Sequence, residues 1–247
     1  LCDLPFVQRF DIRQSDGKYY LLACALKSDH EYTGDWRFPG KLFVAELPSD
    51  LSGYDAEHQL ELTPIKDGLL KNHGYYRYTA EDGNMSSIVS TDNGVFHVFP
   101  PTSADDSWRC EQLTEDAASD GLLLDLDGDG IEELCTFTPF HGNEVRIYFF
   151  YDWEYSVFYT YPEKLPFLHA IWGGKLCGKN TWVFGHRNGE RKMLAITYEN
   201  GQYVSQELDH GRGAANMLHY MYEGKDVIIA TNRETDEIGR YELTEAK

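Results

Sequence analysis

An all-β fold of five consecutive repeats is what this sequence predicts, and three observations predict it. Asn72, Asp120, Leu168 and Asn216 follow one another at intervals of 48 residues. After each comes a short apolar strand, a turn, a second apolar strand, a polar loop, a third strand ending in an aromatic residue or Leu, and a fourth strand. The third strands echo one another, as in Gly94-Val-Phe-His-Val-Phe99, Val145-Arg-Ile-Tyr-Phe-Phe150 and Ile238-Gly-Arg-Tyr-Glu-Leu243. Repeats of this length built from four short strands predict a single β-propeller, here of five blades of mainly four antiparallel strands. The expected blades cover 4–63, 72–113, 120–161, 168–208 and 216–243 of one domain, 1–247.

The first copy begins near Phe6 and is about 16 residues longer than the others, which an inserted loop at 28–40 explains. The second opens on Lys71-Asn72-His73-Gly74 and turns at Glu81-Asp-Gly-Asn84. In the third, an aspartate-rich segment replaces the first turn, and Pro139-Phe-His141-Gly-Asn143 follows the second strand. The fourth opens with Leu165-Pro-Phe-Leu-His169 and is expected to turn at Gly173-Gly-Lys175; the fifth turns at Glu223-Gly-Lys225. Asp-Gly and Gly-Gly pairs are hairpin punctuation, because glycine reaches the positive φ that tight hairpins need. No fourth strand is visible after Leu243. An unpaired outer edge is a template for pairing, so a homodimer through that edge is the expected self-contact.

An antiparallel meander reverses at every turn. The turns after the first and third strands therefore share one end of each blade, and the loops after the second and fourth share the other. That second class holds six of the nine histidines: His30, His73, His141, His169, His186 and His210. It also holds Asp35, Trp36, Lys71, Asn72, Asp120, Arg187, Arg212, Asn232 and Arg233. Titratable groups are thereby concentrated on one face, where propellers place their ligands.

The chain carries 41 acidic against 22 basic residues, a formal charge of −19. Such a field repels nucleic acid and anionic membrane and favours a neutral or cationic partner. No apolar run approaches the roughly 20 residues of a membrane span. Five cysteines without a Cys-x-x-Cys pair suit a reducing cytoplasm, with Cys24 and Cys135 as small core residues.

The most specific local motif is Asp125-Leu-Asp127-Gly-Asp129-Gly-Ile131-Glu-Glu133. Carboxylates at positions 1, 3, 5 and 9, with the Ile131 carbonyl at position 7, can wrap a hard cation, calcium first and magnesium second. It lies on the end opposite the histidines and reads as a structural staple. His73, at the start of an inner strand, can accept a proton from a carbon acid or bond a neighbouring backbone. His141 and His169 are similar, either as acid–base groups or as ligands of a transition metal. Arg187 and Arg233 offer planar forks to an oxyanion. In the long loop, Asp35 suits sugar hydroxyls and Trp36 a sugar's C–H face.

From Leu4 to Leu243 the chain resembles the FG-GAP/VCBS-type propellers related to aldos-2-ulose dehydratase. The resemblance rests on Leu4-Pro-Phe, Asp35-Trp with Pro39-Gly, Lys71-Asn-His-Gly, Asp125-x-Asp-Gly-Asp-Gly and Pro139-Phe-His-Gly. It implies dehydration of 1,5-anhydrofructose and related keto sugars, with a propeller histidine, His73 by its motif, in the reaction. That family has a larger propeller followed by zinc-binding cupin domains, neither of which this sequence shows. The expected activity is histidine-assisted proton abstraction and elimination on a neutral keto or anhydro sugar. His73 is the base, His141 or His169 the partner, Arg187 the oxyanion contact, and Asp35, Trp36, Lys71, Asn72 and Arg233 hold the substrate. A non-catalytic carbohydrate- or protein-binding propeller is the alternative.

Overall fold

The computed structural model describes residues 1–80 and 83–244. The chain is all-β, built from five consecutive antiparallel meander sheets, the blades of a five-bladed β-propeller fold. It divides into two compact units, 1–120 and 121–247.

In the first unit, one sheet runs β1 (Val7–Ser15), β2 (Lys18–Lys27), β3 (Pro39–Leu47), β4 (Thr63–Leu69). The other runs β5 (Gly74–Thr79), β6 (Met85–Thr91), β7 (Gly94–Phe99), β8 (Arg109–Thr114). Leu22, Cys24, Leu42, Val44, Leu69 and Val89 are among the residues of its core. The second unit begins within β9 (Asp120–Leu124), which pairs in the sheet of β10 (Glu133–Thr138), β11 (Glu144–Tyr151) and β12 (Glu154–Thr160). Next come β13 (Leu168–Leu176), β14 (Lys179–His186), β15 (Met193–Glu199) and β16 (Gln202–Asp209). The last sheet has three strands among the described residues, β17 (Ala214–Tyr222), β18 (Lys225–Asn232) and β19 (Glu237–Leu243).

The second strands carry much of the buried surface: apolar in Leu21-Leu-Ala-Cys-Ala25 and Trp182-Val-Phe184, and rich in serine and threonine in β6, where Ser86 to Thr91 are all buried. Outer strands β8, β12 and β16 mix exposed and half-buried positions and hold no fully buried residue. Trp182 is fully buried, with ring contacts to Phe137 at 5.7 Å and Phe184 at 5.0 Å.

Three boundaries differ from the sequence reading. The fourth strand of the first blade is β4, reaching Leu69 rather than ending near residue 63, so the connection to β5 is shorter than 66–73. The extra length of that blade is shared between the loop before β3 and the segment 48–62 before β4. Gly173-Gly-Lys175 is not a turn: it lies inside β13, whose hairpin falls at Cys177-Gly178. Gly174 is required because a Cβ there would meet the Trp172 ring at 2.7 Å. The turn expected at Glu81–Asn84 lies partly outside the described residues.

Among the described residues no helix is long and apolar enough to cross a membrane.

Candidate functional site

In the second unit, the loop after β10 and the connection before β13 meet. Gly142 N–H donates to the Pro139 carbonyl at 2.8 Å and closes a tight turn. His141 occupies its third position at φ 47°, a conformation that turns usually give to glycine or asparagine. Gly142 itself cannot be replaced, since a Cβ would sit 2.2 Å from the Thr138 carbonyl oxygen. Phe167, before β13, is also left-handed, at φ 63°. Left-handed backbone is costly for a bulky residue and persists only where surrounding contacts enforce it.

Those contacts are with each other. The His141 ring stacks on Phe140 at 4.1 Å, meets Phe167 edge-on at 4.5 Å and stacks against His169 at 5.8 Å. The Arg187 guanidinium lies 4.6 Å from the centre of the Phe167 ring. The Arg187 N–H donates to the Phe167 carbonyl, and the side chain donates to Glu234 Oε1 at 2.9 and 2.6 Å. His141, Asn143, Phe167 and Asn188 line an open cleft of about 460 Å³ between Pro139 and Pro166. A cleft of this size fits a small ligand, with amides for hydroxyl groups and rings for apolar faces.

His169 sits at a register shift in β13, between Leu168 and Ala170, and Ala215 sits at the matching shift in β17. A bulge leaves its residue outside the regular ladder and re-aims its side chain. The Ala215 carbonyl accepts the His169 Nδ1–H at 2.7 Å. In the first unit His73 repeats the arrangement with the same separation of 46 residues, donating Nδ1–H to the Ser119 carbonyl at 2.9 Å. His73 is buried, and its Nδ1 is 3.3 Å from the Asp120 carboxylate, which the carbonyl outcompetes for the proton. With Nδ1–H given to a carbonyl, Nε2 is the ring nitrogen at which either residue would accept a proton.

Several sequence-predicted residues also carry contacts within the fold. Both Asp35 oxygens are occupied by the Arg37 fork, at 2.9 and 2.8 Å, and by the backbone N–H groups of Glu31 and Arg37. These donors hold its carboxyl well below the usual carboxylate range, and the buried group braces its own loop. Trp36 has the Lys27 and Lys71 ammonium groups over its ring at 5.1 and 5.7 Å, so cations already cover the indole. Lys71 pairs with Asp92 at 2.6 Å. Asn72 is fully buried and donates to the Lys41 carbonyl at 3.0 Å, tying the start of β5 to β3. Arg187 spends its fork on Glu234, so it acts as a fixed cation more than as a free oxyanion donor. Arg233 is exposed on a short 3-10 turn. His186 is locked neutral, accepting from Lys192 N–H at Nε2 and bonding the Asn188 carbonyl through Nδ1. Burial lowers its pKa. His30 and His210 are exposed.

At the other end of the third sheet, Asp125, Asp127 and Glu133 present carboxylate oxygens within 4.8 Å of one another. Asp129 is outside this group and caps the Ile131 N–H at 2.7 Å, while Ile131 is exposed. Glu133 is 3% exposed and accepts Leu126 N–H at 2.6 Å. Burial first, then Asp127 and Asp125, push its carboxyl up to about 7. Hard oxygen donors with this uncompensated charge fit calcium or magnesium.

Sequence reasoning passed over Phe167 and Glu234, which position His141 and Arg187. A left-handed phenylalanine has no sequence signature, and Glu234 becomes meaningful only once its loop is placed.

No protein-family model matches the chain, and no curated protein matches it. Solved structures do. A putative 6-phosphogluconolactonase from Bacteroides fragilis NCTC 9343 aligns with TM-score 0.51 and 12% identity, over 95% of this chain and 76% of that one. A second, from Bacteroides uniformis ATCC 8492, gives 0.50 and 11%, over 92% and 78%. An α-L-arabinofuranosidase from Clostridium thermocellum ATCC 27405 gives 0.50 and 11%, over 97% and 90%. At these identities the likeness shows the fold alone.

Proposed function

We propose that this chain is a sugar-active propeller enzyme that acts on a neutral keto or anhydro sugar by histidine-assisted proton abstraction and elimination. The observation that carries the reading is the packed group of His141, Phe167, His169 and Arg187 beside a cleft lined by Asn143 and Asn188. That two of the structural relatives are named as lactonases and one as an arabinofuranosidase supports a carbohydrate ligand. The resemblance to aldos-2-ulose dehydratase-type propellers supports the elimination.

A C–H beside a carbonyl is acidic enough for a neutral imidazole. The base takes that proton at a ring nitrogen. The departing hydroxyl leaves as water with a proton from a second acid, and an enone remains. His141 lines the cleft and His169 stacks against it, with Nε2 the ring nitrogen that would take a proton. His73 is a candidate base in its own right, because it carries the same hydrogen bond. Arg187 supplies positive charge beside the ring cluster.

Calcium, or magnesium, belongs to the same proposal as a structural ion held by Asp125, Asp127 and Glu133. It would offset the charge concentrated in that turn and takes no part in the elimination.

The test is turnover of 1,5-anhydrofructose and related keto sugars, followed by enone absorbance. Replacing His141, His169 or His73 by Ala is expected to cost about 10²–10⁴-fold in kcat for whichever residue acts as base. Unchanged turnover in all three variants removes the enzymatic reading. Saturable sugar binding without turnover selects the alternative, a carbohydrate-binding propeller. The exposed Tyr151 and Trp153, 82% and 91% accessible on the β11–β12 hairpin, favour that alternative.

A further inference from the structure

In the first unit, away from every residue assigned above, a serine and a histidine meet beside a cavity. Tyr78 pairs with Ser86 and Tyr76 with Ile88 across β5 and β6, and Ile88 pairs with His97 across β6 and β7. Side chains alternate along a strand, so Ser86 and His97 share one face of the sheet on diagonal positions. Ser86 Oγ lies 2.6 Å from His97 Nε2. Both residues are buried, Ser86 at 5% and His97 at 9% exposure.

The ring cannot drift from that contact. Phe99 stacks on His97 at 4.0 Å and Tyr78 meets it edge-on at 5.2 Å. Ser86 lines a cavity of about 340 Å³, with Tyr78, Met85 and Phe99 as apolar walls. Arg109 and Asp106 are its charged lining residues; the exposed Arg109 guanidinium lies 4.4 Å from the centre of the Phe99 ring and pairs with Glu111 at 2.9 Å. A buried serine bonded to an oriented imidazole beside an open volume is the arrangement of an activated nucleophile.

We propose that Ser86 and His97 are a second reactive centre, a nucleophile and its base for acyl transfer from small carboxylic esters. Ser86 Oγ attacks the ester carbonyl carbon while its proton passes to His97 Nε2. The carbon–oxygen bond to the alcohol breaks, and the alcohol leaves with that proton. Water then attacks the acyl-serine, gives a proton to Nε2, and Ser86 recovers its hydrogen as the acid departs. Negative charge on the acyl oxygen develops in a cavity lined by one cation, Arg109, which also pairs with Glu111, and by one anion, Asp106. The cavity lies near the lower limit of ligand pockets, which selects short acyl groups. Burial holds the His97 pKa down to about 4, so Nε2 is unprotonated throughout the neutral range.

The experiment treats the full chain with a fluorophosphonate probe and maps adducts by peptide mass spectrometry. In labelling, the phosphorus–fluorine bond breaks, the Oγ–phosphorus bond forms, and the serine proton leaves with fluoride through His97. The expected result is a single adduct on Ser86, absent in Ser86→Ala and formed about 100-fold more slowly in His97→Asn. Hydrolysis of p-nitrophenyl acetate falls in both variants. A wild-type labelling rate that is flat above pH 5 and declines below it is a second readout, independent of whether His97→Asn folds. No adduct on Ser86 in folded protein overturns the proposal, because the pair is then an inert hydrogen bond with the proton on Nε2. An adduct whose rate ignores both His97→Asn and pH also overturns it.

Discussion

Replacing Glu133 by Gln separates the electrostatic account of the acidic turn from a purely structural one. Glu133 is buried among Asp127 and Asp125, and its carboxyl is displaced from 4.5 to about 7. Each pKa unit corresponds to about 1.4 kcal/mol, so the displacement is worth at most about 3.5 kcal/mol. Water reaches the half-buried aspartates of the turn, and screening reduces this to roughly 1–2 kcal/mol. The folded state binds the proton more tightly than the unfolded state. The contribution of Glu133 is therefore fully present below pH 4.5, falls as pH rises toward 7, and is a penalty above that. Glutamine keeps an oxygen for the Leu126 N–H and removes the charge. Without divalent ions at pH 8, the variant is expected to melt roughly 2–6 °C above the parent, and at pH 4.5 the two should coincide. Millimolar calcium should raise the parent's Tm at pH 8 by mass action and raise the variant's much less. Scanning calorimetry at both pH values, with calcium and with chelator, reads all four cases. A variant that melts lower at pH 8 and keeps its full calcium response refutes the reasoning.

Asp35→Ala should release the loop it braces, seen as faster limited proteolysis within 28–38 and unchanged cleavage elsewhere. Trp182→Ala removes a fully buried ring from between Phe137 and Phe184 and should cost about 3–5 kcal/mol in denaturant unfolding. Burial lowers the pKa of His186 and takes that of His97 to about 4, so the unfolded chain gains their protons first as pH falls below 6.5. Their contribution is present above pH 6.5 and lost on the way down to about 4, so urea stability should fall across that window, less steeply in His97→Phe.

The interval of 48 residues carried most of the fold, because each blade is a meander that repeats the same apolar strands and turns. It fails where two signals have the same letters. Glycine pairs mark hairpins in most of the chain, yet inside β13 Gly173 makes room for Leu122 and Gly174 for the Trp172 ring. The first blade misled for a related reason: a polar stretch, 48–62, precedes a fourth strand whose alternation is weak. The meander also placed His141 and Arg187 on the same end of their sheets, and the structure brings both against Phe167.

Strand order, sheet class and the end of each blade on which a polar residue falls are local properties, and the amino-acid sequence by itself determined them. Which polar side chains are already satisfied is a tertiary matter. Asp35, Trp36 and Asn72 read as sugar contacts in the sequence, and only the structure shows that Arg37 bonds the first, Lys27 and Lys71 lie over the second, and the Lys41 carbonyl accepts from the third. Ser86 and His97, 11 residues apart and unremarkable in sequence, acquire a possible chemistry only when two strands pair in register. The physical reason is that a hydrogen bond or an ion pair depends on ångström-scale distances between groups remote in the chain, and those distances exist only after the sheets have packed.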